Sequence, residues 1–361
     1  MARNKKEVEI VNEANENAIA NKETEGLSQG QIVFRRFIRH RAAMISVIFL
    51  FSLIAIVYTS LDWRLGNKEK PFVIPGWWKY HFEDMPELRY ADCPGGTVGC
   101  PTIDAVPFFD GDGMSLGEHP FGQDDIGRDY LSLVMRGAQR SILVMFIIGI
   151  IAATLGTVIG AISGYFRGWV DGVLMRLVDF IITVPVIIIG SVIGFHYGNK
   201  GAAFLALLLG IFSWTGLSRL VRGEFLTLRE REFVDAARVA GAGNRRIIFK
   251  HILPNAVGVI IVSVTLLMSG AILTETALSY LGFGVVAPDV SLGLLISTYQ
   301  DAFTTRPWLF WYPGLFIIAI ALCINFIGDG LRDAFDPRQR RRLSRKDKAN
   351  ARKLESRAEV A

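Results

Sequence analysis

The sequence predicts an all-α polytopic membrane protein with six transmembrane helices, and three observations lead there. Hydrophobic residues make up 51% of the 361 residues, and mean hydropathy is +0.35. The apolar residues gather in uncharged runs separated by charged connectors, which is the pattern of repeated bilayer crossing. Most basic residues flank those runs. A net charge of +5 therefore reports topology and lipid headgroup contact rather than affinity for nucleic acid.

The chain opens with residues 1–31, polar, mixed in charge and rich in Asn, Glu and Lys. No cleavable signal peptide is visible there, and the segment reads as a disordered cytoplasmic tail. Residues 32–41 (IVFRRFIRHR) alternate apolar and arginine positions, which predicts an amphipathic helix at the cytoplasmic interface. A bare topology signal is the plainer reading of the same arginines, and the two are compatible. Residues 42–61 form the first crossing.

Five further runs fill a core at 141–330: Ser141–Gly164, Leu177–Phe195, Gly201–Ser218, Asn255–Thr274 and Trp308–Gly328. Each run holds about 18 to 24 residues, enough to span a hydrocarbon core of roughly 30 Å at 1.5 Å per residue. The connector 219–254 carries eight Lys and Arg, and the tail 331–361 carries eleven. Thr276–Pro307 carries only Arg306. An even number of spans with both termini cytoplasmic satisfies the positive-inside rule. The segment 62–140 is then external.

Cys93 and Cys100 flank a Pro-Gly-Gly-containing stretch in that external segment. A disulfide could close the loop there, and two free thiols are the alternative. Cys323 lies inside an apolar run and reads as packing. Gly156, Gly160 and Gly164 recur at four-residue spacing in the second span, and Gly190, Gly194 and Gly198 in the third. Small residues on one face let helix backbones approach in lipid, so these two spans are expected to pack tightly together.

Enzyme chemistry is not legible. The chain has no G-x-x-x-x-G-K-[ST] loop, H-E-x-x-H, Cys-x-x-Cys or G-x-S-x-G. Leu27–Gln31 (LSQGQ) has no phosphate loop to serve. His81 and His119 with Asp110, Asp112 and Glu118 lack the remaining ligands of a calcium loop and read as solvated turns, so no metal site is expected. Asp179 stands three residues after Arg176, and a local ion pair accounts for it. With mid-span positions nearly free of charge, a proton-relay carrier is disfavoured.

The most patterned stretch is Glu230–Pro254, EREFVDAARVAGAGNRRIIFKHILP. Glu230–Ala240 reads as a helix with Phe233, Ala236, Ala237 and Ala240 on one face. Gly241 ends it through a left-handed turn. Asn244 then caps a second short helix through Ile252, and Pro254 fits near the start of the following span. A helix–turn–helix with small residues at Ala236 and Ala237 suits docking of a partner; a bare connector is the plain alternative.

These residues carry a resemblance. Asp235-Ala236-Ala237, then Gly241, then Ile252-Leu253-Pro254 resembles the EAA loop of permease subunits in bacterial ABC importers, with Asp235 where Glu is usual and His251 where Ile is usual. Three further segments resemble the dipeptide, oligopeptide and nickel branch of that family: His119–Asp129 (HPFGQDDIGRD), Glu275–Gly282 (ETALSYLG) and Gly328–Pro337 (GDGLRDAFDP). The resemblance covers about Ser28–Arg342, and the insert around Lys70–Asp112 departs from it.

The resemblance implies a type I ABC importer permease fold in a bacterial inner membrane. It implies a second permease subunit, two ABC ATPase subunits that hold the ATP and Mg, and an extracytoplasmic solute-binding protein, with surrounding lipid and no cofactor on this chain. Asp235, Ala236, Ala237, Gly241, Asn244, Arg245, Arg246, Leu253 and Pro254 would form the ATPase contact. Peptide is the expected cargo, with nickel or another small solute as the alternative within the family. A stand-alone secondary carrier or a membrane scaffold remains open outside it.

Overall fold

A backbone amide in hydrocarbon finds no water and must bond within its own segment, and the apolar runs of this chain fold as helices, two of them broken. The computed structural model describes residues 29–65, 72–88, 98–102, 117–287 and 289–335. The N-terminal tail, most of the C-terminal tail, Cys93, Asp110 and Asp112 lie outside the described residues.

Helix α1 (Gln29–Arg39) begins three residues before the expected interfacial segment and ends at a corner on His40. That ring makes the corner: its Nδ1 accepts the Ala43 N–H at 3.1 Å, capping α2 (Arg41–Ser60), and its Nε2 lies 3.4 Å from Asp333. Beyond α2, the segment expected to be external holds a small antiparallel hairpin, β1 (Trp63–Leu65) with β2 (Phe72–Ile74), a local departure from the all-α expectation. The indoles of Trp63 and Trp77 donate to the carbonyls of Tyr58 and Ile56 at the end of α2. Such rings suit the membrane–water boundary.

Helix α3 (Tyr130–Phe166) is the spine. Its 37 residues extend about 55 Å, well beyond a core of about 30 Å, so the expected span Ser141–Gly164 is only its middle. Asp129 starts it. One carboxylate oxygen accepts the Ser132 N–H (2.9 Å) and the Trp78 indole (2.8 Å), and the other faces His119 Nδ1 (2.8 Å). Asp124 accepts from Arg128 (2.6 Å) and from the Tyr299 hydroxyl (3.1 Å). Burial, and then the Asp124 charge, push the Tyr299 phenol above its ordinary range. The histidine and aspartates of the HPFGQDDIGRD segment thus serve as a structural clasp.

The third and fourth spans are each broken. Helix α4 (Gly168–Ile182) meets α5 (Val186–Tyr197) at a 73° bend, and α6 (Ala202–Ser213) meets α7 (Thr215–Arg229) at 41°. The first break ends at Pro185, which has no N–H for the helix ladder and is itself extended, with ψ 132. After α8 (Glu232–Val239) the chain runs unbroken through α9 (Asn244–Tyr280). The expected separate helix Asn244–Ile252 is the first part of α9, widened to a π-helical stretch at Ile247–Ile252. A short external helix, α10 (Leu292–Thr298), and α11 (Trp308–Phe335) complete the fold. By length and composition, four helices can cross a membrane alone, and six spans result if each bent pair is one.

The glycine faces are used for close approach, with partners other than those expected. Added Cβ atoms at Gly156, Gly160 and Gly164 would meet Leu217 at 2.9 Å, the Ser218 carbonyl at 2.5 Å and the Arg222 carbonyl at 2.7 Å, all on α7 rather than on the third span. Gly190 would meet Leu278 of α9 at 2.5 Å, and Gly194 would strike the Phe283 carbonyl. Asp179 is also partnered differently: it binds Arg219 of α7, not Arg176. Asp171, unremarked in the sequence, takes both Arg222 Nε (2.6 Å) and Nη2 (2.7 Å) and accepts the Ser163 hydroxyl (2.5 Å). Two ion pairs therefore tie α4 to α7.

Glu275 of α9 is fully buried and meets hydroxyls: Ser141 donates at 3.0 Å and Ser279 at 2.7 Å. Ser141 also accepts the Leu292 N–H (3.3 Å), and Ser279 accepts from Ser291 (3.2 Å) and from the Val285 N–H (3.3 Å). This network fastens Val285, Ser291 and Leu292 to α3 and α9.

Two substitutions separate the kinds of glycine. Gly160→Leu overpacks the α3–α7 contact and is expected to cost about 1–3 kcal/mol, read as a lower melting temperature in detergent. Gly223 of α7 has open space around it, so Gly223→Ala should stabilise by roughly 0.5–1 kcal/mol through helix propensity. Equal responses of the two variants would contradict the packing described.

Candidate coupling surface

The segment from Arg229 to Ile252 is held against the body of the protein by a small apolar core. Val234 of α8 is fully buried, packing with Tyr165, Phe225, Ile247 and Ile252. The buried side of α8 is thus centred on Val234, with Ala237 half-buried beside it. Phe233, Ala236 and Ala240 face outward instead.

Gly241 ends α8 with φ +80. The Ala242 N–H bonds the Ala237 carbonyl at 3.0 Å and the Gly241 N–H bonds the Arg238 carbonyl at 2.9 Å. This pair of bonds is the Schellman closure that a left-handed glycine permits. Asp235 pairs along its own helix with Arg238 at 2.8 Å.

Asn244 corrects the sequence reading. The N-cap of α9 is Gly243, without a side-chain cap, and Asn244 is the first helical residue. Its Oδ1 accepts the Tyr165 hydroxyl at 2.8 Å, which joins the start of α9 to the end of α3. Tyr165 also receives Arg229: the guanidinium lies 5.5 Å from the ring centroid and donates to the Tyr165 carbonyl at 2.5 Å. Arg167 pairs with Glu230 at 3.0 Å. None of these four was singled out from sequence, because each contact joins residues more than sixty positions apart.

Pro254 has no N–H to bond the Lys250 carbonyl, and the π-helical stretch lies immediately before it. The Asn255 side chain bonds the His251 carbonyl at 2.6 Å. Leu253 is half-buried, and Pro254, Arg245 and Arg246 are exposed.

What results is a firmly backed surface with an apolar centre. Val239 is 91% exposed and Phe249 61% exposed, on either side of the glycine turn. A shallow depression lined by Gly243, Asn244, Arg245, Arg246 and Phe249 lies between them. Exposed apolar side chains rimmed by arginines mark an interaction surface rather than a catalytic one. No cluster of three or more His, Cys, Asp or Glu suited to a metal occurs among the described residues. Cys100 is buried and disulfide-bonded; Cys93, its expected partner, lies outside the described residues.

Comparison with known proteins gives the family of the chain. Residues 156–341 match the family described as binding-protein-dependent transport system inner membrane component, and residues 28–63 match the N-terminal transmembrane domain of oligopeptide transport permease C. The oligopeptide transport system permease protein OppC of Mycobacterium tuberculosis is 37% identical over 318 residues, covering 88% of this chain and 97% of that one. The protein of the same name from Haemophilus influenzae is 35% identical over 316 residues, covering 88% and 91%. Among solved structures, the inward-facing MetNI methionine ABC transporter aligns with a TM-score of 0.48 at 17% identity, over 56% of this chain and 96% of that one. This chain therefore belongs to the inner membrane components of binding-protein-dependent transport systems, as a non-catalytic permease subunit of an ABC importer in the oligopeptide branch.

Proposed function

We propose that this subunit forms half of a translocation path for peptides and that the 230–254 unit receives the ATP-binding subunit. The peptide cargo is carried over from the names of its relatives. The observation that carries the coupling reading is the exposed pair Val239 and Phe249 around a turn closed by Gly241. Those side chains stand where a partner can cover them, and Val234, Tyr165 and Arg229 fix their backing. Displacement at this surface would pass to α3, α7 and α9 together.

Both termini are cytoplasmic in this reading, consistent with the arginine-rich flank of α1 and the basic connector after α7. A second permease subunit would cover the exposed apolar face of α4 and α5, where Phe180 is 72% and Phe195 77% exposed. Two ATPase subunits would hold the ATP and Mg, and an extracytoplasmic solute-binding protein would deliver cargo to the external side. This chain supplies no ligand to the nucleotide.

The test is co-purification of the tagged chain with its ATPase subunits, together with peptide uptake. Val239→Asp places a charge at the centre of the contact and should weaken ATPase recovery by roughly tenfold or more. Recovery and uptake equal to wild type would sink the assignment. Gly241 has free space around it, so substitutions there act through the backbone alone. Gly241→Val should cost about 1–3 kcal/mol at this φ and uncouple uptake. Gly241→Asn, tolerant of the left-handed region, should stay near wild type.

A further inference from the structure

The turn from α3 to α4 runs against the preference of its own residues. Arg167, between the two helices, has φ 58 and ψ −163. It is the one non-glycine residue with positive φ among the described residues. Glycine takes such angles freely, whereas a side chain takes them only under strain. A glycine does follow: Gly168 has φ 59 and open space where a Cβ would stand. The strain therefore falls on the arginine although a glycine adjoins it.

Strain of this kind persists only where the surroundings hold it, and contacts on both sides of the turn do so. The Arg167 N–H bonds the Ser163 carbonyl at 3.2 Å, and the Arg167 carbonyl accepts the Asp171 N–H at 3.4 Å. Ser163 and Asp171, four residues to either side, are joined across the turn by the serine hydroxyl at 2.5 Å. Asp171 is fixed in turn to α7 by both nitrogens of Arg222. The Arg167 side chain reaches Glu230 at 3.0 Å, beside Arg229, which is bound to Tyr165. Both members of the Arg167–Glu230 pair are exposed, and such a pair contributes little stability. What it supplies is a link: the strained turn is connected to the first residue of the 230–254 unit.

We infer that Arg167 and Gly168 form a loaded hinge, with α4 held under backbone strain in this conformation and Arg167 a positioning residue that ties the hinge to Glu230. The inference rests on the reading of the 230–254 unit as the place where the ATP-binding subunit docks. Displacement of that unit draws Glu230 from Arg167, lets the arginine return to ordinary angles and turns α4 about Gly168, whose open surroundings permit the change. The strain released offsets part of the cost of parting α4 from α7. The two arrangements thus lie closer in free energy than their contacts alone would place them.

The experiment compares R167G, R167A, R167K and E230Q in the full chain, alone in detergent and in complex with its ATPase subunits. R167G and R167A both lose the ion pair, and only R167G loses the strain. R167G should therefore melt above R167A by about 2–4 °C. At an unstrained position the order is reversed, because glycine gives the unfolded chain more freedom. In cells supplied with a labelled tripeptide, R167G should recover ATPase subunits normally and take up about tenfold less peptide than R167A. E230Q should behave as R167A does, and R167K should stay near wild type. R167A melting at or above R167G overturns the proposal, as does equal uptake by the two variants. Loss of ATPase recovery in R167G also overturns it and assigns the residue to the docking contact. Failure of the docking reading itself is seen separately, as normal ATPase recovery in V239D, and leaves the R167G and R167A melting order as the test of strain.

Discussion

Two helices surrounded by acyl chains gain little by hiding leucines from one another, because the tails are as apolar as the side chains. Their association has to come from close contact and from polar groups that have no better partner. The α3–α7 contact supplies both. Gly160 and Gly164 bring the α3 backbone against the carbonyls of Ser218 and Arg222, Gly156 brings it against the Leu217 side chain, and Tyr165 and Arg229 close the C-terminal end of α3. Helices α4, α8 and α9 are attached to that pair. Helix α4 is tied to α7 by Asp171 and Asp179, α8 continues from α7, and α9 begins against Tyr165.

The breaks in the third and fourth spans gain meaning from the same contact. Bends at Pro185 and Trp214 separate α4 from α5 and α6 from α7. The halves on the α7 side are joined by two ion pairs. At the opposite end of the bundle, the Glu275 hydroxyl network and the Asp124 and Asp129 clasps hold Val285, Ser291, Leu292 and the start of α3. The chain thus has an inner and an outer set of polar fastenings, with bent or glycine-packed helix between them. A carboxylate buried among hydroxyls is costly to strand, which gives the outer set its fixed geometry.

Legibility from sequence followed the range of the interaction. The spans, the helix before the first of them and the left-handed Gly241 were readable because hydropathy, amphipathic period and glycine conformation are local. The breaks were only half readable: Pro185 marks one, whereas nothing in the sequence around Trp214 announces the other. The glycine faces were visible, but their partners were not, since a small-residue stripe records that something approaches and not what. Asp179 was assigned to Arg176 because i, i+3 is the pair a sequence can see, while Arg219 lies forty positions away. Asn244 was read as a cap by residue type, and the tertiary hydrogen bond to Tyr165 claimed its side chain. The external insert gave the least, as its expected pairing of Cys93 with Cys100 falls partly outside the described residues.

The widened turn at Ile247–Ile252 sets an angular phase. A π-helical stretch houses one more residue than the α-helix around it needs, so everything before it is rotated about the axis relative to an uninterrupted span. One residue corresponds to about 100°. Arg245, Arg246 and Phe249 are thereby aimed independently of the residues of α9 that pack against α3 and α11. Shortening this stretch by one position would leave the span in register and swing the cytoplasmic end of the same helix to another side. The length of the segment between Gly243 and Pro254 is accordingly under a constraint as strict as the identity of its residues.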